Sequence, residues 1–265
     1  MRPKGLIRLL LTGCLLLLLS GCTFGATVDA LLTPPHLRGE QEQIYQALEN
    51  AVGNRITLQY PRSGDHLSAV MISDLDGDGQ DEAAVFYRKE SSLSTENALR
   101  LNLLDQADGT WMSVCDLPAE GAEVDRGFTA DIGGRQRLII GYSQVDQSDK
   151  ALVVYNYEGG TLAKSFTVSY SSFDVADLDG DDQSELLILK AAEGEHAAEA
   201  AVYVPDEQDH YARYSLTLQG KTTEYSQVLC GNTQGKQTAI YLDGMVGATT
   251  VSYTHLRAHE TSAHL

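Results

Sequence analysis

The sequence predicts an all-β protein, a β-propeller assembled from four-stranded antiparallel blades, and three observations carry that expectation. Loop signals recur about every 50 residues, beginning at Asp74, Asp131, Asp177 and Gly231, and self-similarity at one period marks a repeat architecture. Each loop is followed by a short apolar strand, at residues 83–87, 138–142, 185–189 and 238–242. A second turn signal then follows in the first three units, at Asp108-Gly109, at Gly159-Gly160 and in the polar cluster from Pro205 to Asp209. Two-residue Asp-Gly and Gly-Gly turns between alternating strands mark hairpins. One unit therefore reads as four strands, the size of a propeller blade, which needs neighbours to bury both faces. A β-sandwich is the rival, but its strands share no common unit.

From the N-terminus, Arg2, Lys4 and Arg8 precede an apolar run from Leu9 to Leu19. That layout is a secretory signal over residues 1–21 rather than a spanning helix, which needs about 20 apolar residues. The run ends Leu19-Ser20-Gly21-Cys22, which resembles a bacterial lipobox. The resemblance implies that Cys22 is acylated and becomes the mature N-terminus, placing the protein outside the cytoplasm, anchored to the bacterial cell membrane by lipid. Residues 22–37 read as a tether, since Pro34-Pro35 favours extended backbone. Residues 38–54 hold a helix: Ile44, Ala47, Leu48, Ala51 and Val52 fall on one face and Gly53 stops it. Its apolar face is expected to pack on the propeller, which occupies residues 55–250 as four blades of an incomplete ring.

Within the first blade, Asp74-Leu75-Asp76-Gly77-Asp78-Gly79-Gln80-Asp81-Glu82 sets five carboxylates between two apolar runs. Asp74, Asp76 and Asp78 alternate and can turn inward together, Glu82 can close the ring, and Gln80 can add its backbone carbonyl. Such oxygen-only sets suit Ca²⁺, which takes roughly six to eight oxygens, better than Mg²⁺. A solvated acidic turn is the plain alternative. The register returns, however, at Asp177-Leu178-Asp179-Gly180-Asp181-Asp182-Gln183-Ser184-Glu185. Asp177, Asp179, Asp181, Gln183 and Glu185 are therefore a second expected ligand set, with Asp182 where the first loop has the glycine suited to a sharp turn. An EF-hand would need Glu at loop position twelve, and Val85 and Ile188 stand there instead.

The pattern Asp-x-Asp-x-Asp-Gly-x-x-Glu running into an apolar strand, preceded by Ala69-Val70-Met71-Ile72 and followed by Ala83-Ala84-Val85-Phe86-Tyr87, resembles the FG-GAP or VCBS repeat of integrin-like β-propellers. The resemblance covers about residues 60–250 and is specific at the two acidic loops. It implies that each loop joins neighbouring strands of a blade and holds Ca²⁺. The second and fourth units lack the acidic triplet and read as blades without metal. Residues 251–261, Val-Ser-Tyr-Thr-His-Leu-Arg-Ala-His-Glu-Thr, resemble a translated sequencing-library adapter, so 251–265 reads as a non-native tail rather than a histidine metal site.

The formal charge of −18 disfavours nucleic acid and anionic lipid as partners, because both are drawn to basic surfaces. Cys14 goes with the signal and Cys22 with the lipid, leaving Cys115 and Cys230, which read as free thiols although export permits a disulfide. No nucleophile elbow, Cys–His pair or zinc signature appears. His36, His66, His196 and His210 read as surface histidines, and Asp108-Gly109-Thr110-Trp111 as a hairpin turn rather than a sialidase Asp-box. The expectation is a non-enzymatic, lipid-anchored surface module with Ca²⁺ loops that binds or scaffolds a protein or glycan. A glycan-binding or glycan-processing propeller and an accessory envelope lipoprotein without its own ligand are the alternatives.

Overall fold

The computed structural model describes residues 39–90, 98–144, 150–178, 181, 183–192, 197–216, 223–232, 238–246 and 249–256. The expected signal, Cys22 and the tether lie outside these residues, as do Asp179, Gly180, Asp182 and residues 257–265. Helix α1 (Glu40–Val52) opens with Glu40 and Glu42 at its positive end and stops at Gly53, whose φ of 96° favours glycine. Among the described residues no helix is long and apolar enough to cross a membrane.

The rest is β-structure in four antiparallel sheets. The first holds β1 (Ile56–Leu58), β2 (Val70–Ser73), β3 (Glu82–Lys89), β4 (Leu99–Ala107) and β5 (Thr110–Pro118). Here β1 and β2 share one edge of β3, with Leu58 opposite Tyr87 and Val70 opposite Val85. The second sheet runs β6 (Glu123–Asp131), β7 (Gln136–Ser143), β8 (Lys150–Glu158) and β9 (Thr161–Tyr170), and the third β10 (Ser172–Ala176), β11 (Glu185–Lys190), β12 (Glu199–Pro205) and β13 (Tyr211–Ser215). The fourth has β14 (Glu224–Asn232), β15 (Thr238–Val246) and β16 (Thr249–Leu256). The second, third and fourth sheets follow chain order, as hairpins dictate, the first departs from it in that β1 pairs with β3 rather than with β2, and none closes into a ring.

The expected turns fall where the hairpin argument puts them. Asp108-Gly109 and Gly159-Gly160 are two-residue turns with positive φ at both positions, closing the pairs Ala107–Thr110 and Glu158–Thr161. The periodic loops fall between consecutive paired strands, β2 and β3, β6 and β7, and β10 and β11; the fourth falls between β14 and β15, with residues 233–237 outside the described set. The expected boundary at residue 250 is not a boundary in the backbone. Strand β16 runs through it to Leu256, with Tyr253 opposite Leu242, because the alternation of Val251, Tyr253 and His255 with polar residues suits a strand whatever its origin.

Side-chain alternation explains how the sheets pack. In β3, Ala84 and Phe86 enter a core shared with Leu138 and Val153 of the second sheet, while Ala83, Val85 and Tyr87 enter another with Ile44 and Leu48 of α1. Strands β7 and β8 likewise send Leu138, Ile140 and Val153 one way and Ile139, Leu152 and Val154 the other, against Leu186 and Ile188 of the third sheet. Inner strands buried on both faces must read as continuous apolar runs, which is why they were legible as strands but not as half-exposed ones. The last strands of these sheets are less buried: β5 and β9 alternate exposed with partly or fully buried residues, and β13 is mostly exposed.

Charged side chains also bridge sheets. Arg137 is almost wholly buried; its guanidinium donates to the Ile132 carbonyl, to Asn156 Oδ1 and, at 2.6 Å, to Asp209 Oδ1 in the β12–β13 turn of the third sheet. Asn156 Nδ2 donates to the other oxygen of Asp209.

Candidate metal centre

The site is built on the β2–β3 turn. Its second residue, Leu75, is buried in the core between the first two sheets, and its backbone N–H donates to Glu82 Oε2 at 2.6 Å. With that peg in place the chain coils outward. Asp74 accepts from Gly77 N–H and Gly79 N–H, Asp76 from Asp78 N–H, and Asp78 from Gln80 N–H. Gly77 and Gly79 have φ near 80° and 87°, which lets the carboxylates share one side of the coil. The result brings oxygens of Asp74, Asp76 and Asp78 within 4.8 Å of one another, a group able to hold a metal ion.

The other two expected ligands of this loop behave differently. Gln80 turns its side-chain amide onto Asp78 Oδ2. Glu82 is 1% exposed, and its Oε1 has no hydrogen-bond partner among the described residues. Burial, helped by the charges of Asp76, Asp105 and Asp74 and opposed by the Leu75 N–H, pushes the Glu82 carboxyl up to about 7. Asp76 is also pushed up, first by partial burial and then by Asp78, Asp105 and Asp74, against the Asp78 N–H bond. The donor set is all oxygen and all acidic, and a buried carboxylate oxygen stands unpaired behind it. Those are the properties a hard divalent cation would relieve.

Asp105 was missed by sequence reasoning. It lies one residue beyond the Ala83–Leu104 pair of β3 and β4, and so beside Glu82, and its Oδ2 accepts from Tyr157 OH at 2.7 Å. Burial, then the hydrogen bond to Asp105, raises the Tyr157 hydroxyl well above its usual range. Only strand register reveals this contact, and extending the β3–β4 pairing by one residue would have found it.

The second acidic loop occupies the same hairpin of the third sheet. Leu178 is buried like Leu75, and its N–H donates to Glu185 Oε2 at 2.7 Å. Gln183 N–H donates to Asp181 Oδ1, as Gln80 does to Asp78. Asp177 and Asp181 are described and Asp179 is not, so the carboxylate group seen in the first loop is not defined here. In the second sheet the equivalent turn has no acidic triplet, and its peg, Ile132, is fully buried with its N–H satisfied by the Arg135 carbonyl instead.

Of the described histidines, His66 is exposed and His210 is a surface residue paired with Asp206. Cys115 is a free, partly buried thiol; the Cys230 side chain is outside the described set.

Comparison with protein-family models finds no match, and comparison with curated proteins finds none either. Among solved structures, the chain is similar to an exotype rhamnogalacturonan lyase at 16% identity with a TM-score of 0.36, over 75% of this chain and 46% of that one. The chain thus spans about half the length of that enzyme.

Proposed function

We propose that this chain is a lipid-anchored, extracytoplasmic β-propeller of the FG-GAP or VCBS kind. It carries Ca²⁺ in the first acidic loop, and in the second by the same logic, and acts by binding or scaffolding at the cell surface rather than by catalysis. The observation that carries the reading is the convergence of Asp74, Asp76 and Asp78 within 4.8 Å, on a turn whose acidic counterpart occupies the same hairpin two sheets away. Face-to-face stacking of the five-stranded first sheet on the four-stranded second, and of the second on the four-stranded third, supports the propeller arrangement, since blades bury both faces against neighbours. Asp74, Asp76 and Asp78 would hold the ion. Bound there, it would supply positive charge that neutralises the turn and lets Glu82 stay ionised.

Titration of chelator-treated full chain with Ca²⁺ in a calorimeter tests the reading. Saturable binding to the wild type, weakened by Asp78→Asn, is the expected result. Absence of binding at millimolar Ca²⁺ would reduce both loops to acidic turns.

A further inference from the structure

A cleft of about 380 Å³ opens beside the first loop. Its walls come from three places: Leu75, Asp76 and Gly77 of the β2–β3 turn, Gly134, Arg135 and Gln136 of the β6–β7 turn, and Asn156, Tyr157 and Glu158 at the end of β8. Several of these side chains are already committed. Gln136 Nε2 donates to Ser73 Oγ at 3.2 Å, Asn156 is held between Arg137 and Asp209, and the Tyr157 hydroxyl is held by Asp105. Those bonds fix the walls in place before any ligand arrives, which lowers the ordering penalty of binding. The polar groups left facing the cleft are Asp76, Glu158 and the half-exposed Arg135, whose guanidinium lies 3.9 Å from Asp209.

The charges select the ligand. Asp76 belongs to both the cleft and the carboxylate group, so the cation is a wall of the cleft when bound. With the ion in place, the Asp74, Asp76 and Asp78 charges are largely cancelled, and among the remaining lining residues the Arg135 charge offsets that of Glu158, leaving little net charge. Without the ion the wall is strongly acidic. An anion meets Glu158 and the remaining carboxylates, whereas a cation meets Arg135 and the metal. A neutral molecule rich in hydroxyls fits all the groups at once: it donates to Asp76 and Glu158, accepts from Arg135, and offers paired oxygens to a cation whose roughly six to eight positions three aspartates do not fill. The volume falls at the small end of the roughly 300–1,000 Å³ range of ligand pockets, which suits a monosaccharide or the end of a chain.

We propose that this cleft is a cation-dependent binding site for neutral saccharides, with Asp76, Arg135 and Glu158 as the contacting residues; this rests on the Ca²⁺ reading of the first loop. The test is saturation-transfer NMR on the full chain with glucose, galactose, mannose, fucose and their short oligomers, in millimolar Ca²⁺ and in chelator. Thermal melts in the same buffers report ion binding independently. Expected are sugar signals in Ca²⁺ that vanish in chelator, and affinity about tenfold weaker or worse in Arg135→Ala and Glu158→Gln, both of which keep the Ca²⁺-induced rise in midpoint. A rise in midpoint with no sugar signal would overturn the saccharide site and leave the Ca²⁺ reading standing. So would sugar signals that persist in chelator, or that survive both substitutions. No Ca²⁺ effect on the melt overturns both readings together.

Discussion

Replacing Asp76 by Asn isolates the charge of the first loop from its geometry. Asn keeps the side-chain oxygen that accepts from Asp78 N–H, so the coil survives, but one of three clustered charges is gone. Like charges within 4.8 Å of one another repel by about 1 kcal/mol per pair in bulk water, and the substitution removes two such pairs. Because Asp76 is exposed and salt screens it, roughly half of that sum, about 1 kcal/mol, is the expected gain in chelator. For the wild type, an ion bound at about 10⁻⁴ to 10⁻³ M contributes about 0.4–1.4 kcal/mol at millimolar Ca²⁺. For a chain of this size each kcal/mol moves the midpoint by about 2–4 °C. Scanning calorimetry of both proteins, with Ca²⁺ and with chelator, should therefore give a wild type that rises with Ca²⁺ and a variant that rises less, keeping only the share of the second loop. In chelator the variant should melt above the wild type. A variant that still responds fully to Ca²⁺, or that melts lower in chelator, would refute the argument that these carboxylates repel one another and converge on an ion.

The Arg137–Asp209 link should be far more sensitive than any surface pair. Asp209→Ala strands a buried guanidinium and is expected to destabilise by about 3–5 kcal/mol in chemical denaturation, whereas Arg62→Ala, whose partner Glu123 is partly exposed, should change little. The same link sets an acid limit. Burial tends to raise the Asp209 carboxyl, but its bonds from Arg137 and Asn156 and the charge of Arg135 outweigh that and hold it below its ordinary value of 3.8. Its contribution is thus complete above about pH 4 and is lost as pH falls through the depressed value, so wild type and Asp209→Ala should converge in stability toward low pH. Leu48→Ala, which empties a fully buried site between α1 and the first sheet, should lower stability by about 2–5 kcal/mol in the same assay. Finally, a fatty-acid probe should label the wild-type protein in cells and leave Cys22→Ser unlabelled; persistent label would remove the lipoprotein reading.

Much of the fold was legible because hairpin chemistry is local. Asp108-Gly109 and Gly159-Gly160 demand positive φ, and the chain has few other ways to use such pairs. The periodic loops were legible for the same reason. What escaped was everything set by register between strands. β1 joins the edge of β3 through three pairs, Ile56–Lys89, Thr57–Arg88 and Leu58–Tyr87, and a three-residue strand leaves almost no periodic signal. Asp105 and Arg137 looked like ordinary polar residues in alternating strands, and nothing nearby in sequence announces that one lies beside Glu82 and the other bridges two sheets. The carboxylates at 74, 76 and 78 were found together as expected, while Glu82 turned inward to hold Leu75 N–H with one of its oxygens. The pull of a backbone donor on a carboxylate cannot be separated from the pull of an ion by spacing alone.

The apolar peg at the second position of the β2–β3, β6–β7 and β10–β11 turns separates two jobs that acidic loops often combine. Leu75, Ile132 and Leu178 seat their turns in the core whether or not carboxylates follow, and in all three the same backbone N–H is satisfied from across the turn. These three turns thus behave as related sockets that take charged or uncharged inserts. An engineer could move the segment at 74–82 onto the Ile132 socket without rebuilding the sheet beneath it. Ion affinity becomes a modular property of these turns, adjustable one at a time, while the sheets beneath keep their shape.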